Sequence, residues 1–266
     1  VYRLSARKTV KRKRSKSPLG IGSGLFGISF EKEGGKAYMQ YSTFAAIDIG
    51  SYDVILEIFE ISKKQGIRSV DKICHRMELG KDTYTLGKIR PEMEEELCRV
   101  LADFVRIMEG YRVDDYRATA SSAISEASNS LYVLGKIHQL TGFSVTVLSN
   151  SEQRFLSYKA LAAMEDNFNK IIEKGTAILD LDGGSFQISL FDKDALVTTQ
   201  NIRMGSLRIR ERLAGIQSET EHYEEMVEEL IWNEVSSFKK MYLKDRKIEN
   251  IMLIGDVFTD SVYQNI

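Results

Sequence analysis

The chain has 266 residues, a formal net charge of −1, 43% hydrophobic residues and 28% charged residues. That length suits one large domain or two small ones, and the apolar share is enough for a sizeable core. The near-neutral balance gives no global attraction to nucleic acid or an anionic membrane, no run approaches the ~18 apolar residues of a membrane span, and the start lacks the apolar core of a secretory signal.

The first stretch differs from the rest. Arg7-Lys8-Thr9-Val10-Lys11-Arg12-Lys13-Arg14-Ser15-Lys16 is a dense cationic run. It reads either as an arm for polyanions or, more simply, as a disordered tail with no partner. Met39 stands just before the first strong strand, and Glu33-Gly34-Gly35-Lys36 precedes it. In a bacterial gene the codons for such a segment read as a ribosome-binding site. The expectation is that residues 1–38 are translated leader and that residues 1–43 stand apart from the fold.

From Phe44 the pattern is orderly. Phe44-Ala45-Ala46-Ile47-Asp48-Ile49 is a buried strand ending in a turn, residues 54–59 are its hairpin partner, and residues 69–79 a third strand. Pro91 opens a helix to about Glu109, with acidic residues in its first turn and Met93, Leu97, Leu101, Phe104 and Met108 at helical spacing. The strand 116–120, a helix near 126–140, the strand 145–148 and a helix from about Glu152 to Met164 follow. The scheme then restarts. Thr176–Leu181 is again an apolar strand with a glycine turn, and Phe186–Phe191 its return. One long helix is expected over 218–242, then the strand Ile251–Ile254 with Gly255 at its end. Residues 44–168 and 169–266 thus read as two related α/β units, the second lacking its closing helix.

Cys98 reads as a small buried residue, and a reduced, cytoplasmic setting is the expectation for it and Cys74. His75, His138 and His222 share no metal-ligand spacing with the cysteines, which speaks against zinc. Trp232, Phe238 and Tyr242 form a stripe with Met226 and Leu230 that reads as core or as a homodimer interface. The acidic run from Glu219 to Glu229 suits a helix N-terminus. Lys239, Lys240, Lys244, Arg246 and Lys247 suit the other end, or line a polyanion path.

The two turns carry the chemistry. Asp48-Ile49-Gly50-Ser51-Tyr52-Asp53 and Asp180-Leu181-Asp182-Gly183-Gly184-Ser185 lie about 130 residues apart, each after an apolar strand. Glycine lets the backbone turn tightly and approach a ligand, and the freed N–H groups form a concave anion site. An aspartate at the strand end suits a hydrated Mg2+ beside a phosphate, so Asp48 and Asp180 are the metal candidates. Two such turns in register point to the two-domain plan of actin, sugar kinases and Hsp70, with mixed sheets, ribonuclease H-like units and a cleft between them.

Further segments resemble one family on that plan. Ala120-Ser121-Ser122-Ala123-Ile124-Ser125-Glu126-Ala127-Ser128-Asn129 resembles the Ala-Thr-Ser-Ala-x-Arg-Glu-Ala-x-Asn segment of the exopolyphosphatase / guanosine pentaphosphate phosphohydrolase (Ppx/GppA) family. Leu148–Arg154 resembles its Ser-Gly-x-Glu-Glu-Ala segment, Leu179–Ser185 its Asp-Ile-Gly-Gly-Gly-Ser loop, and Arg203–Arg212 its Leu-Gly-Ser-Val-Arg-Leu-Thr-Glu-Arg segment. Glu78-Leu79-Gly80 and Gly87-Lys88-Ile89 fit as well. The resemblance implies release of a terminal phosphate from polyphosphate or guanosine pentaphosphate, with Mg2+ as cofactor and a glutamate as base. Gly50, Ser51, Tyr52, Ser125, Asp182, Gly183, Gly184 and Ser185 would then face phosphate.

The sequence also departs from that family. Gln153 stands at the place of the base, and a glutamine accepts no proton at neutral pH. Glu152 or Glu126 would have to replace it, although Glu152 is turned about 100° away on a helix. Ser125 replaces an arginine, Asp182 a glycine, Phe186 a Ser/Thr, Gln187 an acidic residue and Tyr52 an asparagine. Two readings follow: a phosphohydrolase with altered catalytic positions, or a degenerate relative that binds polyphosphate or nucleotide. A kinase or ATPase reading needs an adenine site on a later glycine loop; Ile254-Gly255-Asp256-Val257 occupies that position, and Val257 and Phe258 replace further small residues.

Overall fold

The computed structural model describes residues 41–164, 167–217, 222–243 and 246–255. The cationic run, the expected leader and Met39, Glu219, Glu221, Lys244, and the Asp256-Val257-Phe258 part of the expected nucleotide loop lie outside the described residues.

Alternation drives the first sheet. In β1 (Tyr41–Ile49), Ala45, Ile47 and Ile49 are buried while their neighbours are only half-buried. β2 (Asp53–Ser62) and β3 (Gly66–Arg76) continue it as an antiparallel meander. On the other side of β1 come the parallel strands β4 (Asp115–Ala120) and β5 (Val145–Val147), in the order β3-β2-β1-β4-β5. Between β3 and β4 lie α1 (Leu79–Leu86) and α2 (Pro91–Gly110). Pro91 takes the first helical position of α2, where its missing N–H costs nothing. Leu97, Leu101, Phe104 and Met108 bury one stripe of that helix. They join Val133 and Ile137 of α4 (Ser130–Thr141) and the strands in one large cluster. Each fully buried Leu or Ile contributes about 1.5–3 kcal/mol there.

The second sheet repeats the scheme. β6 (Thr176–Leu181), β7 (Phe186–Asp192) and β8 (Ala195–Ile202) form an antiparallel meander, and β9 (Asn250–Ile254) lies parallel to β6, in the order β8-β7-β6-β9. Its two faces bury different helices. Ile178 and Phe191 pack with Leu161 of α5 (Asn150–Met164) and with Phe168 and Ile172 of α6 (Phe168–Glu173). Ile188, Leu190 and Ile202 pack with Phe238 of α8 (Tyr223–Tyr242). The expected α/β plan of two mixed sheets is therefore present. No helix among the described residues is long and apolar enough to cross a membrane.

Several expected elements differ. The third strand ends at Arg76, because Glu78 takes a left-handed backbone (φ 50°) and starts α1. The helix expected near 126–140 starts only at Ser130, as α4, and a separate short helix, α3 (Ser122–Ser125), precedes it. Between them the Asn129 amide brackets the backbone of Ile89, with Nδ2 donating to its carbonyl at 2.8 Å and Oδ1 accepting from its N–H at 3.0 Å. The long helix expected over 218–242 starts only at Tyr223, and α7 (Ser206–Gln217) precedes it. The aromatic stripe of α8 divides: Phe238 and Tyr242 pack in the core, whereas Trp232 is 63% exposed.

Candidate active site

The two glycine turns meet. The first joins β1 to β2, and the Gly50 N–H donates to the Asp53 carbonyl at 2.9 Å. Its outer carbonyls serve the next helix: Tyr52 O accepts from Met77 and Glu78, and Ser51 O from Gly80 at 2.9 Å. The second turn joins β6 to β7, and the Asp182 N–H donates to the Ser185 carbonyl at 3.0 Å. Gly183 abuts Ser51 and Tyr52 of the first turn, close enough that a Cβ on it would stand 3.0 Å from the Ser51 Cβ. Gly205, just before α7, lies against the back of the second turn, and any Cβ there would meet three backbone atoms at 2.4 Å.

Around this junction the first half supplies hydroxyls and the second half a cation. Ser51 Oγ and Ser122 Oγ each lie 2.7 Å from the Tyr84 hydroxyl. A Cβ on Gly184 would sit 2.1 Å from that hydroxyl and 2.4 Å from Ser122 Oγ, so any side chain there would have to push both aside. Arg208 of α7 closes the group. Its N–H donates to the Gly183 carbonyl at 3.0 Å and its Nε to the Gly184 carbonyl at 2.8 Å. Its Nη2 reaches Glu126 Oε2 at 2.9 Å, and its guanidinium lies 3.9 Å from the centre of the Tyr84 ring. Burial pushes the Tyr84 phenol above its usual range, which keeps it neutral. A second clasp joins the halves where Arg210 grips Glu78 through two bonds, at 3.0 and 2.6 Å, and holds that carboxyl below the usual range. Neither Tyr84 nor Arg208 was singled out from sequence; Arg208 lies inside a recognised segment, but nothing local to Tyr84 marks it.

The carboxylates have divided duties. Glu152 accepts from the N–H and the hydroxyl of Ser149, at 2.9 and 2.8 Å, while Ser149 Oγ accepts from the Glu152 N–H. That reciprocal pair caps α5, and its hydrogen bonds lower the Glu152 pKa. Glu126 is held by Arg208 and lies 3.6 Å from Arg203. Gln153 Nε2 donates to Asp182 Oδ2 at 2.7 Å, so the two altered positions form one pair. Ser125 ends α3 with its side chain exposed. Asp48, at the end of β1, accepts from Thr119 at 3.4 Å.

Beneath Gln153 the face of α5 toward the second sheet is polar. Ser157 Oγ donates to the buried Asp180 at 3.2 Å, Tyr158 to Ser189, and Arg154 to Thr199 at 3.2 Å. Asp180 stands directly across the ladder from Gln187, and Gln187 from Asn201. Gln187 is only 3% exposed, and neither its Oε1 nor Asn201 Oδ1 has a hydrogen-bond partner among the described residues. Two orphaned oxygens beside a buried carboxylate could serve a hard cation that keeps some of its own water. No group of three or more His, Cys, Asp or Glu side chains among the described residues is placed to hold a metal alone.

Two meander-plus-parallel sheets, with their first turns facing each other, define the actin-like ATPase fold class. The family model described as the Ppx/GppA phosphatase family matches residues 57–266, and the chain belongs to that family. It is 25% identical over 144 residues to exopolyphosphatase 1 of Mycobacterium leprae, a match covering 54% of this chain and 41% of that protein. It is 22% identical over 174 residues to the bifunctional 3-dehydroquinate synthase/phosphatase of Fusobacterium nucleatum, covering 63% of this chain and 26% of that protein. The chain thus spans less than half the length of these relatives. The crystal structure of the Aquifex aeolicus Ppx/GppA family member superposes with a TM-score of 0.62 at 22% identity, over 83% of this chain and 68% of that one.

Proposed function

We propose that this chain cleaves a phosphoanhydride in the manner of an exopolyphosphatase, releasing terminal phosphate from inorganic polyphosphate or guanosine pentaphosphate. The observation that carries this reading is the convergence of both glycine turns, the Ser51 and Ser122 hydroxyls and the Arg208 guanidinium on one point between the halves. Backbone N–H groups of tight turns, hydroxyl donors and a fixed cation are what a phosphoryl oxygen needs, and phosphoryl transfer depends mainly on positioning and electrostatics. Mg2+ fits the oxygen donors at the strand ends: Asp48 from the first half, and Asp180 with Gln187 Oε1 from the second, would hold it. It would neutralise charge developing on the phosphate oxygens.

A second reading rests on the carboxylates. Glu152 caps a helix and Glu126 is held by arginines, so neither is at liberty to take a proton from water. On that observation the chain is a binder of polyphosphate or nucleotide rather than a catalyst. Phosphate release from polyphosphate with Mg2+ separates the two. Turnover by the parent chain that Glu152→Gln or Glu126→Gln reduces by roughly 10²-fold or more supports hydrolysis, the usual cost of losing a general base. Binding of polyphosphate with no release supports the second reading, and neither binding nor release ends both.

A further inference from the structure

The phenol of Tyr84 stands where the two turns converge. Its hydroxyl is 2.7 Å from Ser51 Oγ in the first turn and 2.7 Å from Ser122 Oγ at the start of α3. It also touches the backbone of the second turn, since a Cβ on Gly184 would be 2.1 Å away. Arg208 lies across the ring at 3.9 Å and binds the carbonyl of the same glycine. Two hydroxyls and a glycine backbone around one oxygen atom, with a guanidinium stacked on the ring that carries it, resemble the surroundings of a bound oxyanion, and here that oxygen belongs to the protein.

We propose that Tyr84 is a resident competitor for the phosphate position, and that a terminal phosphoryl group binds by displacing its hydroxyl. The proposal rests on the phosphate-binding reading of the same junction. The movement belongs to the side chain and not to the helix. α1 stays anchored, because Leu79, Asp82 and Thr83 are buried and Thr83 Oγ1 donates to the Ala123 carbonyl at 2.6 Å. The phenol projects from that fixed base and leaves by rotation about its own side-chain bonds. When the phenol leaves, Ser51 and Ser122 regain donors for a phosphoryl oxygen, and Arg208 exchanges a ring for an anion. Apparent affinity is then the intrinsic affinity scaled by the fraction of molecules whose tyrosine is out. The residue selects ligands: a dense, multiply charged phosphate end gains enough from Arg208 and the turns to displace a neutral phenol, whereas a weakly charged oxyanion does not.

The test is calorimetric titration of tripolyphosphate, with Mg2+ fixed, into the parent chain, Tyr84→Phe and Tyr84→Ala. Tyr84→Phe keeps the ring under Arg208 and loses both hydrogen bonds, and its Kd falls roughly tenfold, the scale of one or two net hydrogen bonds. Tyr84→Ala binds at least as tightly as Tyr84→Phe. If Tyr84→Ala has no cooperative thermal transition, the phenylalanine variant decides alone. In the parent, tripolyphosphate also slows amide exchange at residues 182–185. A parent that binds while Tyr84→Phe binds equally or more weakly overturns the displacement proposal and leaves the phosphate-binding reading standing, because the hydroxyl is then a spectator or a ligand. Absence of binding in the parent and in Tyr84→Phe overturns both.

Discussion

The two sheets share a strand order and differ in what lies on them. The first is covered by one continuous apolar cluster in which α2 and α4 interlock with the strands. The second has two smaller clusters on opposite faces, and on the α5 face the apolar part gives way to Asp180, Gln187, Ser189 and Thr199. A repeated backbone plan thus serves two purposes. The first half is a rigid support presenting hydroxyls, while the second spends part of its burial on polar groups facing the junction. Buried polar groups specify geometry at a cost in stability, so the second half should be the weaker one.

Core truncation gives the largest contrast. Leu101→Ala should cost about 3–5 kcal/mol, because Leu101 is fully buried in the dense cluster, and Leu161→Ala on α5 nearer 2 kcal/mol. Chemical denaturation measures both, and equal losses would break the comparison. Next comes Gly205→Ala. Its Cβ would meet Asp182 O, Gly183 C and Ser185 N, all backbone, so about 3 kcal/mol is expected along with loss of phosphate binding. Gln153→Glu follows. It replaces the amide donor to Asp182 with a second carboxylate and should cost about 1–3 kcal/mol with no gain in phosphate release. Adding Asp182→Gly removes the repulsion, and a double-mutant cycle should show strong coupling between the two positions.

The smallest effect belongs to the clasp between the halves. Arg210 depresses the Glu78 pKa, so its contribution is fully present above the unfolded carboxylate value of about 4.3 and is lost as pH falls through the lower folded value. Partial exposure limits it to under about 1 kcal/mol. Glu78→Gln should flatten that part of the stability curve below about pH 4, as read by denaturation at several pH values.

Much of this was legible in the chain itself. Apolar runs ending in Asp and Gly marked β1 and β6 with their turns, and Pro91 with its acidic followers marked the start of α2. What escaped was decided at a distance. α1 contains Gly80, Thr83 and Thr85, a weak helical pattern, and forms because Ser51 and Tyr52 accept the N–H groups at its start. The break before α4 comes from Asn129 bonding to Ile89, 40 residues away. In the site, Gln153 and Asp182 each read as a loss, and only the fold reveals them as one donor–acceptor pair. Tyr84 carried no local mark because its meaning arises from Gly184, 100 positions later in the chain.

Arg208 holds two carbonyls of its own half together with a carboxylate and an aromatic ring of the other. Contacts of such short range cannot stretch; a small parting of the halves forfeits the ion pair and the ring contact at once and gains nothing until solvent or a ligand fills the gap. The junction therefore behaves as a latch rather than a spring. Relative movement of the halves should register as exchange between two discrete states, with no graded breathing between them.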